Sequence, residues 1–171
     1  MKKVLFIMTL FFALGANAQE STKKENFNNG DTFVTGTFKF TDTNDNLQSS
    51  VTLNNFVTKN VSLGLELGIT STDFIENNYT VGINARNYFT PTKQFSTFLQ
   101  LGGNSRINAK NDFVNYNVNF GGGINYFISK NFALEASVGA INYNWNNRNY
   151  NDRFNIDLDL KNIKFGLIYK I

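Results

Sequence analysis

The chain has 171 residues, a length that suits one domain. It contains no Cys and no His, which excludes disulfides, thiolate metal ligands and the side chain that most often serves as a general base. The formal charge of +3 falls to +1 once Lys2 and Lys3 are removed, so composition gives no reason to expect nucleic acid as a partner.

The first 18 residues have the pattern of a cleavable signal peptide. Lys2 and Lys3 precede the apolar run VLFIMTLFFAL at 4–14, and Ala16 and Ala18 supply the small residues of a cleavage site. A membrane-anchor helix is the alternative, but the run is shorter than the roughly 20 apolar residues that a span requires. We expect export, a flexible polar leader at 19–30, and a single domain at 31–171.

From residue 32 onward, apolar and polar residues alternate with period two, which is typical of β-strands. The alternation predicts eight strands, at 32–41, 47–57, 61–70, 79–89, 95–104, 116–128, 132–143 and 154–171. In the fifth, Thr97 and Phe98 leave the direction of the faces ambiguous. In the eighth, the apolar residues change from even to odd positions between Leu160 and Ile163, which predicts a β-bulge at 161–162.

The connections between these strands alternate in length. Those at 58–60, 90–93 and 129–131 are short and each carries a Lys, whereas those at 42–46, 71–78, 105–112 and 144–153 are polar and mostly longer. Aromatic residues concentrate beside the short turns, namely Phe56, Tyr88, Phe89, Phe95, Tyr126, Phe127 and Phe132. Outer-membrane barrels have such an asymmetry and aromatic girdles at both interfaces.

The face opposite the apolar one is small and polar, with few charges. This favours an apolar face that points outward to lipid, rather than the secreted soluble β-sandwich that is the alternative. A sheet in lipid must pair every backbone group, so it has to close on itself. The sequence therefore predicts an all-β, eight-stranded, antiparallel up-and-down transmembrane β-barrel, whose last strand (IKFGLIYKI) pairs with the first.

In that last strand, hydrophobic residues alternate up to the final position, at Phe165, Leu167, Tyr169 and Ile171. Here the chain resembles the small eight-stranded outer-membrane barrels of Gram-negative bacteria, often labelled outer membrane protein beta-barrel domain (OmpA/OmpX-like transmembrane barrels). The resemblance implies that these four residues form an assembly signal, although the family prefers Phe where this chain has Ile171. It also implies a monomer in the cell outer membrane, in contact with lipid, lipopolysaccharide and the outer-membrane assembly machinery.

Three charged residues fall on the predicted inner face: Glu66, Arg86 and Glu135. An unpaired charge there would be costly, so we expect a lumenal ion-pair network in which Glu66 and Arg86, on neighbouring strands, take part. A catalytic carboxylate is the alternative interpretation. No catalytic, cofactor-binding or metal-binding residue is otherwise predicted.

The sequence therefore favours a non-enzymatic barrel with an envelope-structural role, or a surface-interaction role through its extracellular loops. A lipid-modifying outer-membrane enzyme is one alternative, but the barrel enzymes of this kind use a His in catalysis. A narrow pore for small solutes is the other, and side chains fill the interior of barrels with eight strands.

Overall fold

The computed structural model describes residues 26–41, 46–72, 76–108, 113–147, 153–156 and 163–171. The predicted signal peptide, the first part of the leader and the predicted bulge at 161–162 lie outside these ranges. In the described part of the chain, no helix has the length and apolar character that crossing a membrane would require.

The described residues form one antiparallel sheet that closes into a barrel. Its strands are β1 (Thr32–Thr41), β2 (Asn46–Phe56), β3 (Val61–Thr72), β4 (Glu76–Tyr88), β5 (Phe95–Asn108), β6 (Phe113–Phe127), β7 (Phe132–Asn146), β8 (Arg153–Ile156) and β9 (Lys164–Lys170). Strands β8 and β9 both pair with β7, so they are two segments of the eighth barrel strand. Strand β9 also pairs with β1, from Phe33 opposite Lys170 to Phe38 opposite Phe165. The predicted eight-stranded closed barrel is confirmed.

Parts of the long polar connections predicted from the sequence belong to strands. Residues 71–72, 76–78, 105–108, 113–115 and 144–146 lie in β3 to β7, and residues 42–45, 73–75, 109–112 and 148–152 lie outside the described ranges. The polar segments assigned to loops instead continue the strands, so β5, β6 and β7 reach 14, 15 and 15 residues. A membrane crossing needs only about 9–11 residues. The strands therefore project beyond an apolar belt at one end, which we call the extended end; the other is the turn end.

A register shift in β7 also departs from the sequence prediction. Phe120 pairs with Ile141 but Gly121 pairs with Gly139, so Ala140 is the additional residue of a β-bulge. The bulge reverses the parity of the strand beyond it. Asn142 and Asn144 consequently line the lumen.

The barrel has its apolar face outside and its polar face inside. Leu65, Leu67 and Ile83 are 63–65% exposed, although they lie in the middle of paired strands. Exposed residues of the same face include Val51, Leu53, Leu63, Ile69, Val81, Leu99, Leu101, Val118, Phe120, Ile124, Leu134 and Ile141. The buried polar side chains include Thr35, Thr37, Thr52, Asn54, Ser62, Thr70, Asn84, Ser96, Asn125 and Glu135. This distribution is the reverse of that in a soluble protein.

The aromatic residues near the short turns form two groups rather than one girdle. Phe89, Phe95 and Tyr126 are exposed on the outer face, as a girdle requires. The rest of the predicted girdle does not share this position, because Phe56, Tyr88 and Phe127 are buried and Phe132 is half-buried. The fully buried residues form a cluster that fills the lumen at the turn end, composed of Phe27, Phe33, Phe56, Tyr88, Phe98, Phe127, Ala133 and Ile168.

Phe27 lies at the centre of this cluster, which differs from the flexible leader predicted for residues 19–30. Its ring centroid lies 4.7–5.3 Å from those of Phe33, Phe56, Tyr88 and Phe127. At these separations aromatic pairs attract each other beyond the effect of burial. The Phe27 side chain thus anchors residues 26–30 in the barrel. The polar composition of the leader does not predict this contact.

The N-terminal segment 26–31 folds back across the turn end. The Phe27 amide donates to the Pro91 carbonyl at 2.9 Å, and Lys170 Nζ donates to the Asn26 carbonyl at 3.0 Å. Lys170 also pairs with Asp31 at 3.3 Å. The chain turns into β1 at Gly30, whose φ of 85° is a conformation that L side chains rarely adopt.

Candidate functional site in the barrel lumen

The lumen has three layers along the barrel axis. The aromatic cluster closes the turn end, a charged layer centred on Arg86 lies above it, and a polar cavity occupies the half nearer the extended end. All three are built by alternation, because every second residue of each strand points inward.

Arg86 of β4 and Glu135 of β7 form a bidentate ion pair across the lumen. Arg86 Nη1 lies 2.7 Å from Glu135 Oε2, and Nη2 lies 3.2 Å from Oε1. Both side chains are almost completely buried. Two parallel charge-assisted hydrogen bonds fix the relative orientation of the two groups and compensate part of the cost of burying them.

The remaining polar atoms of this pair also have partners. Arg86 Nε donates to Gln100 Oε1 at 2.7 Å, and the guanidinium carbon lies 4.7 Å from the centroid of the Phe98 ring. The Asn125 amide, in the orientation that satisfies its neighbours, donates to Glu135 Oε2 at 3.2 Å. The charged layer is therefore a connected network that spans β4, β5, β6 and β7.

Phe98 points inward, which resolves the ambiguous parity of the fifth strand. A Cβ atom at Gly123, its neighbour on β6, would lie 2.6 Å from Phe98 Cζ. Only glycine leaves room for the ring at this position. The Phe98–Gly123 pair thus places an aromatic face beneath the Arg86 guanidinium, where a cation–π interaction is favourable.

Glu66 does not lie beside Arg86, so the predicted pairing of these two residues is wrong. Arg86 is opposite Ser62 on β3, and Glu66 lies four residues further along that strand. At about 3.3 Å per residue, the offset is roughly 13 Å along the strand. The two residues share an inward face, but the strand register separates them.

Glu66 instead interacts electrostatically with Arg106 of β5, a residue that the sequence analysis assigned to a loop. The Glu66 side chain passes over Gly82, where a Cβ atom would lie 3.3 Å from Oε2 and 2.8 Å from Asn104 Cβ. Glycine on the intervening strand therefore allows the carboxylate to reach toward β5. The inward position of Arg106 could have been predicted from the sequence, because Gln100, Asn104 and Arg106 all occupy even positions of the same segment.

Above the charged layer lies a cavity of about 290 Å³. It is lined by Lys39, Gln48, Phe98, Gln100, Asn104, Arg106, Asn115, Asn117, Asn119, Gly121, Gly122, Ser137, Val138, Gly139, Asn142, Asn144 and Lys164. A smaller space of about 50 Å³ adjoins it. Lys39, Arg106 and Lys164 line both spaces, and Glu66 lines the smaller one. Among the described residues of this lining, amide side chains are the most numerous, and Lys39, Arg106 and Lys164 are the cations.

The predicted assembly-signal residues lie on the outer face of the last strand. Phe165 and Ile171 are 63% and 71% exposed, Tyr169 is exposed, and Leu167 is half-buried. Between them, Gly166 and Ile168 are buried toward the lumen. Strand β9 joins β7 to β1, so these residues lie on the seam that closes the barrel.

The described ranges contain no group of three or more Asp, Glu, His or Cys side chains arranged to hold a metal ion. The buried carboxylate of Glu135 is bound by Arg86 and Asn125. Both of its oxygens are therefore engaged by these donors, and the polar cavity of the lumen lies above it.

No protein-family model matches the chain, and no curated protein sequence matches it. Solved structures do show the same fold. The N-terminal β-barrel domain of Pseudomonas aeruginosa OprF is 13% identical and has a TM-score of 0.55, with 87% of this chain and 100% of that one covered. A structure titled "De novo design of transmembrane beta-barrels" is 16% identical, with a TM-score of 0.51 and coverage of 85% and 99%.

The fold and the two faces of the sheet together define the class of this protein. It is a closed, eight-stranded membrane β-barrel, with an outward apolar belt and a polar lumen that is blocked at one end.

Proposed function

We propose that the chain is an integral protein of the Gram-negative outer membrane, where it has a non-enzymatic, envelope-structural or surface-interaction role. The observation that carries this proposal is the belt of exposed aliphatic side chains around a sheet that closes on itself through the β1–β9 and β6–β7 pairings. Such a belt is unfavourable in water and is what the hydrocarbon of a bilayer requires.

The predicted signal peptide supports export, and the alternation at Phe165, Leu167, Tyr169 and Ile171 supports recognition by the outer-membrane assembly machinery. In this proposal the extended end faces the cell exterior and presents the protruding strands to lipopolysaccharide and other surface partners. The turn end, with its N-terminal segment, faces the periplasm.

The blocked lumen favours a structural role over a pore. The aromatic cluster and the Arg86–Glu135 layer lie in series along the axis, and their side chains fill the cross-section of the barrel. Interiors of eight-stranded barrels are filled in this way, whereas water-filled channels need more strands.

The test is to express the full chain in a Gram-negative host and separate inner from outer membranes by density. We expect the mature protein in the outer-membrane fraction, and we expect an unboiled sample to migrate differently from a boiled one in a denaturing gel. Recovery in the soluble periplasmic fraction would contradict the proposal. As a matched pair, Leu65→Arg should reduce the folded fraction, whereas Lys59→Arg in an exposed turn should not.

A further inference from the structure

We propose that the N-terminal segment 26–31 is a latch, which docks after the barrel has closed and then limits how fast the seam between β1 and β9 can open. The contacts that support this proposal lie at the turn end, between residues that the structure describes. They would be the same in any membrane that accepts the barrel.

The segment has a local turn of its own. The Asn28 amide donates to Asp31 Oδ2 at 2.8 Å, and the Asp31 amide donates to the Asn28 carbonyl at 3.1 Å. Gly30, with its φ of 85°, allows the chain to reverse between them. These bonds fix the geometry of residues 28–31, so the segment can dock as a unit.

The segment is tied to the seam through Lys170 of β9. Lys170 Nζ donates to the Asn26 carbonyl at 3.0 Å and lies 3.3 Å from Asp31 Oδ2. The side chains of Lys170 and Asp31 are only 12% and 22% exposed, so water screens this pair less than it screens a pair on the surface. Asp31 directly precedes β1. One lysine of β9 therefore binds both ends of a segment that leads into β1.

The segment also reaches the side of the barrel opposite the seam. The Phe27 amide donates to the Pro91 carbonyl at 2.9 Å, and Asn26 Nδ2 donates to the Thr92 carbonyl at 2.6 Å. Pro91 and Thr92 belong to the connection between β4 and β5, which lies four barrel strands away from the seam in either direction. The segment thus spans the mouth of the barrel and joins its two halves.

The site that receives Phe27 is assembled from strands around the wall. The Phe27 ring packs against four aromatic rings, at centroid separations of 4.7–5.3 Å: Phe33 of β1, Phe56 of β2, Tyr88 of β4 and Phe127 of β6. In an open sheet β1 and β6 would lie roughly 24 Å apart, at about 4.8 Å per strand. One ring can therefore contact Phe33 and Phe127 together only after the sheet has closed.

These contacts set the order in which the barrel assembles and opens. Phe27 docks after closure, because its site is incomplete until β1 and β6 belong to one ring of strands. In the reverse direction, the segment releases Lys170 before β9 separates from β1, since Lys170 holds both of its ends. Interactions that form after the folding transition state slow unfolding but barely change the folding rate. The segment should therefore control the rate of opening.

The experiment measures folding and unfolding rates of the mature protein in lipid vesicles, by heat-dependent gel mobility after jumps in urea concentration. Phe27→Ala should raise the unfolding rate about 100-fold or more and change the folding rate less than about threefold. Lys170→Met, which keeps the aliphatic stem, should raise the unfolding rate about threefold to fivefold. Lys93→Met, in the exposed part of the 89–94 connection, is the matched control and should change neither rate.

A second arm holds the segment in place covalently. The chain has no Cys, so Asn26→Cys and Thr92→Cys can be joined specifically by a short bifunctional maleimide. The cross-linked protein should unfold at least about tenfold more slowly than the same variant carrying a monofunctional maleimide. This arm needs no change at Phe27, so it stands if Phe27→Ala fails to fold. Equal unfolding rates with and without the cross-link would overturn the proposal, as would a Phe27→Ala variant that folds more slowly but unfolds at the wild-type rate.

Discussion

At the scale of single residues, the lumen shows that register decides which charges meet. Arg86, Glu66 and Glu135 all have the parity of the inner face, and parity can be read from sequence. Their height along the barrel cannot, because it depends on how each strand slides against its neighbour. Parity therefore predicts an inner-face position for all three residues, whereas the register joins Arg86 to Glu135 and separates it from Glu66.

The Arg86–Glu135 pair can be tested by a double-mutant cycle. Arg86→Gln or Glu135→Gln alone should cost about 3–5 kcal/mol of unfolding free energy, because each leaves a buried charge without its partner. The double variant should cost much less than the sum. The measurement is urea-induced unfolding of the protein in lipid vesicles.

The matched cycle pairs Arg86→Gln with Glu66→Gln. Because strand register separates these residues, their effects should add to within about 0.5 kcal/mol. Strong coupling between Glu66 and Arg86, or purely additive losses for Arg86 and Glu135, would show that the charged layer is arranged differently.

At the scale of elements, the polar segments between predicted strands were the main source of error. Residues such as those at 105–108 and 144–146 were assigned to loops on composition, but they continue β5 and β7. A strand outside the membrane belt needs no apolar face, so hydrophobic alternation fades before the hydrogen-bonded ladder ends. The bulge at Ala140 was missed because small residues on both faces, including Gly139, hide the change of parity.

The N-terminal segment is predicted to stabilise the barrel through Phe27. Phe27→Ala should lower the unfolding free energy by about 3–5 kcal/mol, because it leaves a cavity among four aromatic rings. Asn28→Ala, an exposed neighbour, should stay within about 0.5 kcal/mol of the wild type. If denaturant titrations showed equally small effects for Phe27→Ala and Asn28→Ala, the N-terminal segment would not be packed in the barrel.

On the outer face of the last strand, a charge should be tolerated less well near the membrane midplane than near the interface. Arg on a lipid-facing site costs roughly 2–4 kcal/mol near the midplane and less near the interface, so Leu167→Arg should be more damaging than Ile171→Arg. Deleting residues 169–171 should be worse still, because it removes pairs that join β9 to β1 and β7.

The measurement is the folded, heat-modifiable fraction in outer-membrane preparations. A wild-type fraction after the deletion would show that the end of β9 contributes nothing to closure or assembly.

At the scale of the whole molecule, the fold was predictable because it follows from two requirements. A sheet in lipid has to close, and its side chains have to alternate between lipid and lumen. Both leave a period-two signal that extends over most of the chain. The filled turn end was not predictable in the same way, since aromatic residues near strand ends can belong to an interfacial girdle or to the lumen.

The blocked lumen predicts that the wild-type protein forms no stable large conductance in planar bilayers. Among the described residues, the aromatic cluster and the charged layer lie in series along the axis, so we expect no continuous aqueous path for ions. Single-channel recording at moderate voltage checks this, with a general porin as the positive control. Long-lived openings of the wild type would contradict the filled interior.

The central claim is that the apolar face of this barrel contacts lipid while the polar face encloses the lumen. The chain has no Cys, so single cysteines can carry a fluorescent bimane label without background. In vesicles with brominated acyl chains, a label at Leu65→Cys on the outer face should be strongly quenched. A label at Ser137→Cys, which lines the cavity, should not be. Equal, weak quenching at both positions, with Leu65→Cys accessible to iodide in water, would contradict the membrane barrel.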